Sequence, residues 1–155
     1  MGEIKFKPIG YVKSRFKDPE DLTFACEKGL LTKTKSEIVI NKEYAEGMAG
    51  LSSFSHIWII YHINEANRTE MKTYPGPTTI KGLPVVGVFA SRSQYRPNKI
   101  GLRLVKLAEL KGNVLKVIGL DAIDKTPVLD VKPFIPHFDK PKKAKVAEWY
   151  RGWYV

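Results

Sequence analysis

About seven short segments of this chain either alternate apolar and polar residues or run β-branched and aromatic, with glycine, proline or asparagine between them. A period of two puts alternate side chains on one face of an extended strand, so this pattern limits the possible folds more than any other feature. The segments are Ile4 to Val12 (IKFKPIGYV), Glu37 to Ile40, Phe54 to Ile63 (FSHIWIIYHI), Pro84 to Ala90 (PVVGVFA), Gly101 to Leu110, Asn113 to Ile123 and Val128 to Pro133. Pro8 marks the first as an edge or a bulge, and the aromatic content of the third predicts a central strand. Pro84 to Ala90 reads as a buried strand. Gly112-Asn113 is a tight-hairpin signal. Helical pattern is scarce: Lys42 to Met48 suits one or two turns, and Ala144 to Tyr154 a short terminal helix or an arm. Strands with so little helix to cover their edges favour closure. We therefore expect a mainly β fold: a small closed β-barrel of about seven strands with short helices and a C-terminal helix or arm.

At 155 residues the chain fits one domain with a real core. The expected division is a barrel over residues 1–138 and a basic, aromatic segment over residues 139–155, packed on the same domain or on a dimer partner. Twenty-six Lys and Arg against 16 Asp and Glu leave a formal charge of +10. Such an excess suits a polyanionic partner, because contacts to phosphates release counterions; it equally suits a lysine-rich surface kept for solubility. No apolar run approaches the roughly 20 residues that cross a bilayer, and MGEIKFKPIG lacks both the core of a signal peptide and the myristoylation pattern. The expectation is no membrane and a cytoplasmic location. Cys26 is the one cysteine, so no internal disulfide is possible, and it reads as a small packed side chain. His56 and His62 share a face of one strand, but no Cys or carboxylate stands at ligand spacing around them, so no metal is expected.

No glycine-rich turn opens a helix after a strand, and no phosphate-cradling GxxxxGK[ST] is present. Two other stretches carry chemistry. In SRSQYRPN, Ser91 to Asn98, Arg92 and Arg96 are four apart and precede a Pro97-Asn98 turn. Fixed guanidiniums there either grip carboxylates and phosphates or simply flank a hairpin. In GLDAIDKTPVLDVKPFIP, Gly119 to Pro136, three carboxylates flank the Lys125-Thr126-Pro127 turn. Asp121 falls at the end of a strand, where a carboxylate is disfavoured without a purpose or a partner. Asp124 suits a turn cap, and the alternative for both is pairing with Arg92, Arg96 or Lys132.

Together these motifs resemble the TrmO family, β-barrel tRNA adenosine N6-methyltransferases that use S-adenosylmethionine. GVFASRSQYRPN (Gly87 to Asn98) is similar to the family signature throughout, and the likeness extends to IGLRLVKL (Ile100 to Leu107), GLSSFSHIWII (Gly50 to Ile60) and FKPIGYVKS (Phe6 to Ser14). It covers about residues 4–138. The resemblance implies a homodimer that binds S-adenosylmethionine without a Rossmann fold and methylates a threonylcarbamoylated adenosine beside the anticodon of tRNA. The implied cofactor contacts are Lys28, Gly29 and Leu30, then Glu65 and Ala66, then Arg92 and Leu102, then Ile118, Gly119, Leu120 and Asp121. Where the family usually carries Pro-Arg-Gln, this chain carries Ala25-Cys26-Glu27. A short form, lacking the extra C-terminal domain of longer bacterial members, is also implied.

Methyl transfer from a sulfonium is an in-line displacement, so positioning is the main task. The cofactor's carboxylate wants an arginine, and its ammonium and ribose want acidic or amide acceptors; Arg92 and Asp121 offer such groups, and Leu102 can pack on the adenine. The acceptor nitrogen must lose a proton, to Asp121, to Asp124 or to the substrate's own carboxylate. Tyr95 is a candidate platform for the splayed base. Arg96 and Asn98 either fix the turn or reach RNA. In the tail, Lys142 and Lys143 lie among Trp149, Tyr150, Trp153 and Tyr154. Basic residues interleaved with aromatics suit RNA; packing of Trp149 and Trp153 on the barrel is the alternative. Two other functions fit the same residues: a non-catalytic RNA-binding barrel, and a methyltransferase of the same fold with a different RNA or a small-molecule acceptor.

Overall fold

Inward alternation becomes a closed wall in the structure, a computed structural model that describes residues 2–76 and 80–151. The strands are β1 (Gly10–Lys13), β2 (Lys35–Ile40), β3 (His56–His62), β4 (Lys72–Thr73), β5 (Val86–Gly87), β6 (Ile100–Lys111), β7 (Val114–Ile118) and β8 (Pro127–Pro133). Six of them form an antiparallel barrel in the order β1-β2-β7-β6-β3-β8, with β8 returning to β1. Buried and less buried residues alternate along β2 and β3, and Ile38, Ile57, Ile59, Leu115, Val117 and Val128 point inward with no exposure. Burying side chains of that size contributes about 1.5–3 kcal/mol each, and together they are the centre of the core.

Two irregularities shape the wall. β6 slips register against β7 between Leu107 and Glu109. On β8, Leu129 is an extra residue opposite the Ile60–Tyr61 step of β3, a bulge that sits beside Tyr61. The β6–β7 hairpin turns at Gly112-Asn113 as expected: Gly112 has φ +57, the left-handed conformation that the first residue of a type II′ turn needs.

Pro84 to Ala90 is not a buried strand. Only Val86–Gly87 is extended, pairing with β4 in a separate two-stranded ribbon, and Val88–Ala90 is a 3-10 turn. With β8 hydrogen-bonded to β1 the barrel has no edge left for a seventh strand. The run is also apolar at consecutive positions, so one face cannot bury it: Val88 is buried, while Val85 is 54% and Phe89 72% exposed. Residues 4–9 are likewise outside the strands, and Ile4 and Phe6 are exposed; Pro8 has no amide to give a ladder. The Asn113–Ile123 segment leaves the sheet after Ile118, so Asp121 lies in a loop and not at a strand end.

The longest helix, α1 (Pro19–Glu27), is not signalled by an apolar period. It starts on a local cap: the Asp18 carboxylate accepts from the Asp21 amide at 2.8 Å, Pro19 holds the first position, and Glu20 and Asp21 face the positive end of the helix dipole. Lys42–Met48 is a 3-10 helix, close to expectation. Near the end come α2 (Pro136–Asp139) and α3 (Glu148–Arg151). Residues 144–147 of the anticipated terminal helix are not helical, and its last residues, with Trp153 and Tyr154, lie outside the described residues. Among the described residues no helix is long and apolar enough to cross a membrane.

Candidate functional site

Antiparallel pairing brings the ends of β1, β3 and β7 and the starts of β2, β6 and β8 to one mouth of the barrel. Three connections meet there: α1 after β1, the long loop between β3 and β6, and the loop between β7 and β8. Between them lies a cleft of about 520 Å³, walled by Leu22, Thr23, Cys26 and Glu27 of α1, by Glu65, Arg92 and Gln94 of the long loop, and by Asp121 to Ile123. A second hollow of about 490 Å³, lined by Arg96, Leu102 and Arg103 among others, shares Tyr61, Ile63, Arg92 and Asp121 with the first. Hollows of this size and mixed character suit a small organic ligand.

The shared wall is polar. The Arg92 Nη2 donates to the Leu102 carbonyl at 2.9 Å, which leaves most of the five donors of its guanidinium for a ligand. The Tyr61 hydroxyl donates to Asp121 Oδ1 at 2.8 Å and lies 3.1 Å from the Asp121 carbonyl oxygen. Burial, and then the Asp121 carboxylate, push the Tyr61 phenol far above its ordinary value, so it stays a hydrogen-bond donor. Arg103 approaches the same aspartate from another side: its Nε donates to the Gly119 carbonyl at 3.0 Å, and its Nη1 is 3.6 Å from Asp121 Oδ2. Cys26 is not packed away as expected but exposed on the cleft wall, where partial burial, with Asp121 next, pushes its thiol up.

Glu65, Arg92 with Leu102, and Asp121 are therefore brought together from three separate parts of the sequence. Other expected positions are placed elsewhere. Lys28, Gly29 and Leu30 close the end of α1, their amides donating to the Phe24, Cys26 and Ala25 carbonyls, and the preceding turns of the helix line the cleft instead. Ala66 is buried beside Glu65, and Leu120 belongs to the core. Ile118 pairs with Lys35 and Lys106 in the sheet, and Gly119 serves Arg103.

Asp124, read as a turn cap or as a proton acceptor, is placed as a cap and an ion pair away from the cleft. Its carboxylate accepts from Lys17 Nζ at 2.9 Å and from the Ser14 amide at 3.0 Å, and it lines a different groove with Lys13, Lys17 and Lys35. Tyr95 is outside both hollows, under the Arg68 guanidinium at 3.9 Å from its ring centre. Arg96 lines the second hollow, yet its Nη1 is spent on the Ser91 and Val88 carbonyls at 2.9 and 3.1 Å, clamping its own loop. Asn98, Lys142 and Lys143 are exposed and line neither hollow.

Tyr61, Arg103 and the α1 wall were not anticipated as site residues. Tyr61 looks like one aromatic among several in FSHIWIIYHI, and Arg103 like a polar alternate in GLRLVKL. Asp18-Pro19-Glu20-Asp21 was the readable signal for α1, as a helix start.

Comparison with known proteins follows the same outline. The family described as the tRNA-methyltransferase O N-terminal domain matches residues 11–140. A probable S-adenosyl-L-methionine-binding protein of Methanothermobacter thermautotrophicus is 40% identical, over 88% of this chain and 94% of its own length. The tRNA (adenine(37)-N6)-methyltransferase of Escherichia coli is 34% identical, over 95% of this chain and 64% of its own. A crystal structure of TrmO superposes with a TM-score of 0.75 at 30% identity, covering 94% of this chain and 64% of that one. The chain thus spans nearly the whole of the archaeal relative and about two thirds of the bacterial enzyme.

Proposed function

The chain belongs to the tRNA-methyltransferase O family, and on that premise we propose that it transfers the methyl group of S-adenosylmethionine to N6 of adenosine 37 of tRNA. The observation that carries the reading is the pair of joined hollows with Arg92 and Asp121 on their common wall. Arg92 binds the cofactor's carboxylate through its free guanidinium donors, and Asp121 accepts a hydrogen bond from the cofactor's ammonium or ribose. Leu102, 41% exposed although apolar, packs on the adenine. Glu65 closes the outer side. The cofactor would supply the electrophilic methyl, and the chain's residues would position it for an in-line displacement. The proton on N6 must pass to an acceptor at the site, the Asp121 carboxylate or a carboxylate of the substrate itself.

The charge of +10 supports RNA as the partner, and Lys142 and Lys143 in the segment from residue 139 are assigned to its phosphates. Residues 1–138 are assigned to the catalytic domain. Met71, Tyr74, Val85 and Phe89 are exposed on and beside the β4–β5 ribbon, and a second copy of the chain covers them in a homodimer. A tRNA-modifying enzyme works where tRNA is, and the cytoplasm is its location.

Incubating the purified protein with tRNA and methyl-labelled cofactor, followed by nucleoside mass spectrometry, tests the reaction. Label is expected in a modified adenosine; no label in any tRNA would end this reading. Arg92→Ala should weaken cofactor binding more than tenfold by calorimetry, as loss of a charge-assisted hydrogen bond implies. Unchanged affinity would remove Arg92 from the site.

A further inference from the structure

The deeper inward-facing layers of the barrel are aliphatic, but the layer at its mouth is not. Along β3 the inward series Ile57, Ile59 ends in Tyr61, and along β6 the series Leu107, Val105 ends in Arg103 and Gly101. Packing alone would favour apolar side chains here as below. Instead the two polar ones converge on one carboxylate, that of Asp121.

We propose that Tyr61 and Arg103 are positioning residues that fix the Asp121 carboxylate as a hydrogen-bond acceptor for the cofactor, and that Gly101 is the seat that makes their arrangement possible. Tyr61 and Gly101 are direct cross-strand partners. A Cβ on residue 101 would lie 2.3 Å from Tyr61 Cε2 and 2.4 Å from its Cζ, so the ring lies flat over the bare backbone of the glycine. That pose carries the hydroxyl to Asp121 Oδ1, while the Leu129 bulge on the other neighbouring strand lies next to the tyrosine. Arg103, two residues along the same strand and on the same face as Gly101, holds the Gly119 carbonyl and stands beside Oδ2. The loop that delivers Asp121 is therefore tied at the Gly119 carbonyl and at Oδ1, with a guanidinium 3.6 Å from Oδ2. A side chain so tied keeps a fixed direction and lone pairs to spare, which is what a cofactor acceptor needs.

The inference rests on the reading of the cleft as an S-adenosylmethionine site. Its test is a double-mutant cycle read by calorimetric titration with S-adenosylmethionine, with melting temperatures as the check on folding. Tyr61→Phe keeps the ring and removes only the hydroxyl. Tyr61→Phe and Asp121→Asn should each weaken affinity about tenfold, and the double variant should bind within about twofold of Asp121→Asn alone, because the tyrosine acts only through the aspartate. In turnover, Tyr61→Phe should raise KM for the cofactor by a similar factor with kcat nearly unchanged. Wild-type affinity in Tyr61→Phe, losses that multiply in the double variant, or a fall in kcat with affinity intact would each overturn the positioning role. If Tyr61→Phe fails to fold, Arg103→Lys completes the same cycle with the same expectations. Failure of the wild-type protein to bind S-adenosylmethionine is a different result: it removes the cofactor reading itself, and the positioning role with it.

Discussion

Asp121 and Asp124 stand three residues apart in one motif and have opposite fates. Asp121 is held at the cleft by Tyr61 and Arg103; Asp124 is tied to Lys17 and the Ser14 amide in another groove. Neither partner of Asp124 is visible locally, since both are more than 100 positions away. The difference predicts that Asp124→Asn leaves methyl transfer within about twofold of wild type, whereas a loss of tenfold or more would return Asp124 to the catalytic machinery. It also predicts a pH effect. The hydrogen bond from Lys17, then that from the Ser14 amide, hold the Asp124 carboxyl below the usual carboxylate range. A depressed pKa contributes stability that is present above about pH 4 and is lost as pH falls through the native value. Thermal melts from neutral to acid pH should therefore decline less steeply for Asp124→Asn than for wild type; parallel curves would exclude the effect.

At the scale of elements, α1 shows how a helix can matter without an apolar period to reveal it. Leu22, Thr23, Cys26 and Glu27 line an open cleft, although Leu22 also packs on the Phe16–Ala25–Leu31–Ile123 cluster, so their mixed polarity hides the face they share. The cap alone is explicit. Asp18→Ala should cost about 1 kcal/mol in urea unfolding, and because the helix is a wall of the cleft it should also weaken cofactor binding several-fold. A stability loss with unchanged affinity would show that α1 does not meet the cofactor. The Pro84 to Ala90 run teaches the reverse: strong β propensity did not win a place in the barrel, since every hydrogen-bonding edge was already taken.

The whole molecule leaves the ribbon and its neighbours exposed, with Phe89 72% and Tyr74 62% accessible. Large apolar groups exposed around one small ribbon suit an interface more than open water. Sedimentation at micromolar concentration should find wild type as a dimer and Phe89→Asp as a monomer with the same far-UV spectrum. A monomeric wild type, or a variant that remains dimeric, would remove the ribbon from the interface.

The class of fold, strands close to the segments Glu37 to Ile40, Phe54 to Ile63 and Gly101 to Leu110, and the Gly112-Asn113 hairpin are legible in the sequence, because alternation and turn chemistry act between near neighbours. The sequence also carries the motifs of the family and the candidates Glu65, Arg92, Leu102 and Asp121, which line one or both of the two hollows. Tertiary structure alone decided which aspartate faces that cleft, which turns of α1 wall it, and that Tyr61 and Arg103 hold Asp121. Those outcomes depend on contacts between residues far apart in the chain, fixed only when β8 closes on β1 and the register places Tyr61 over Gly101.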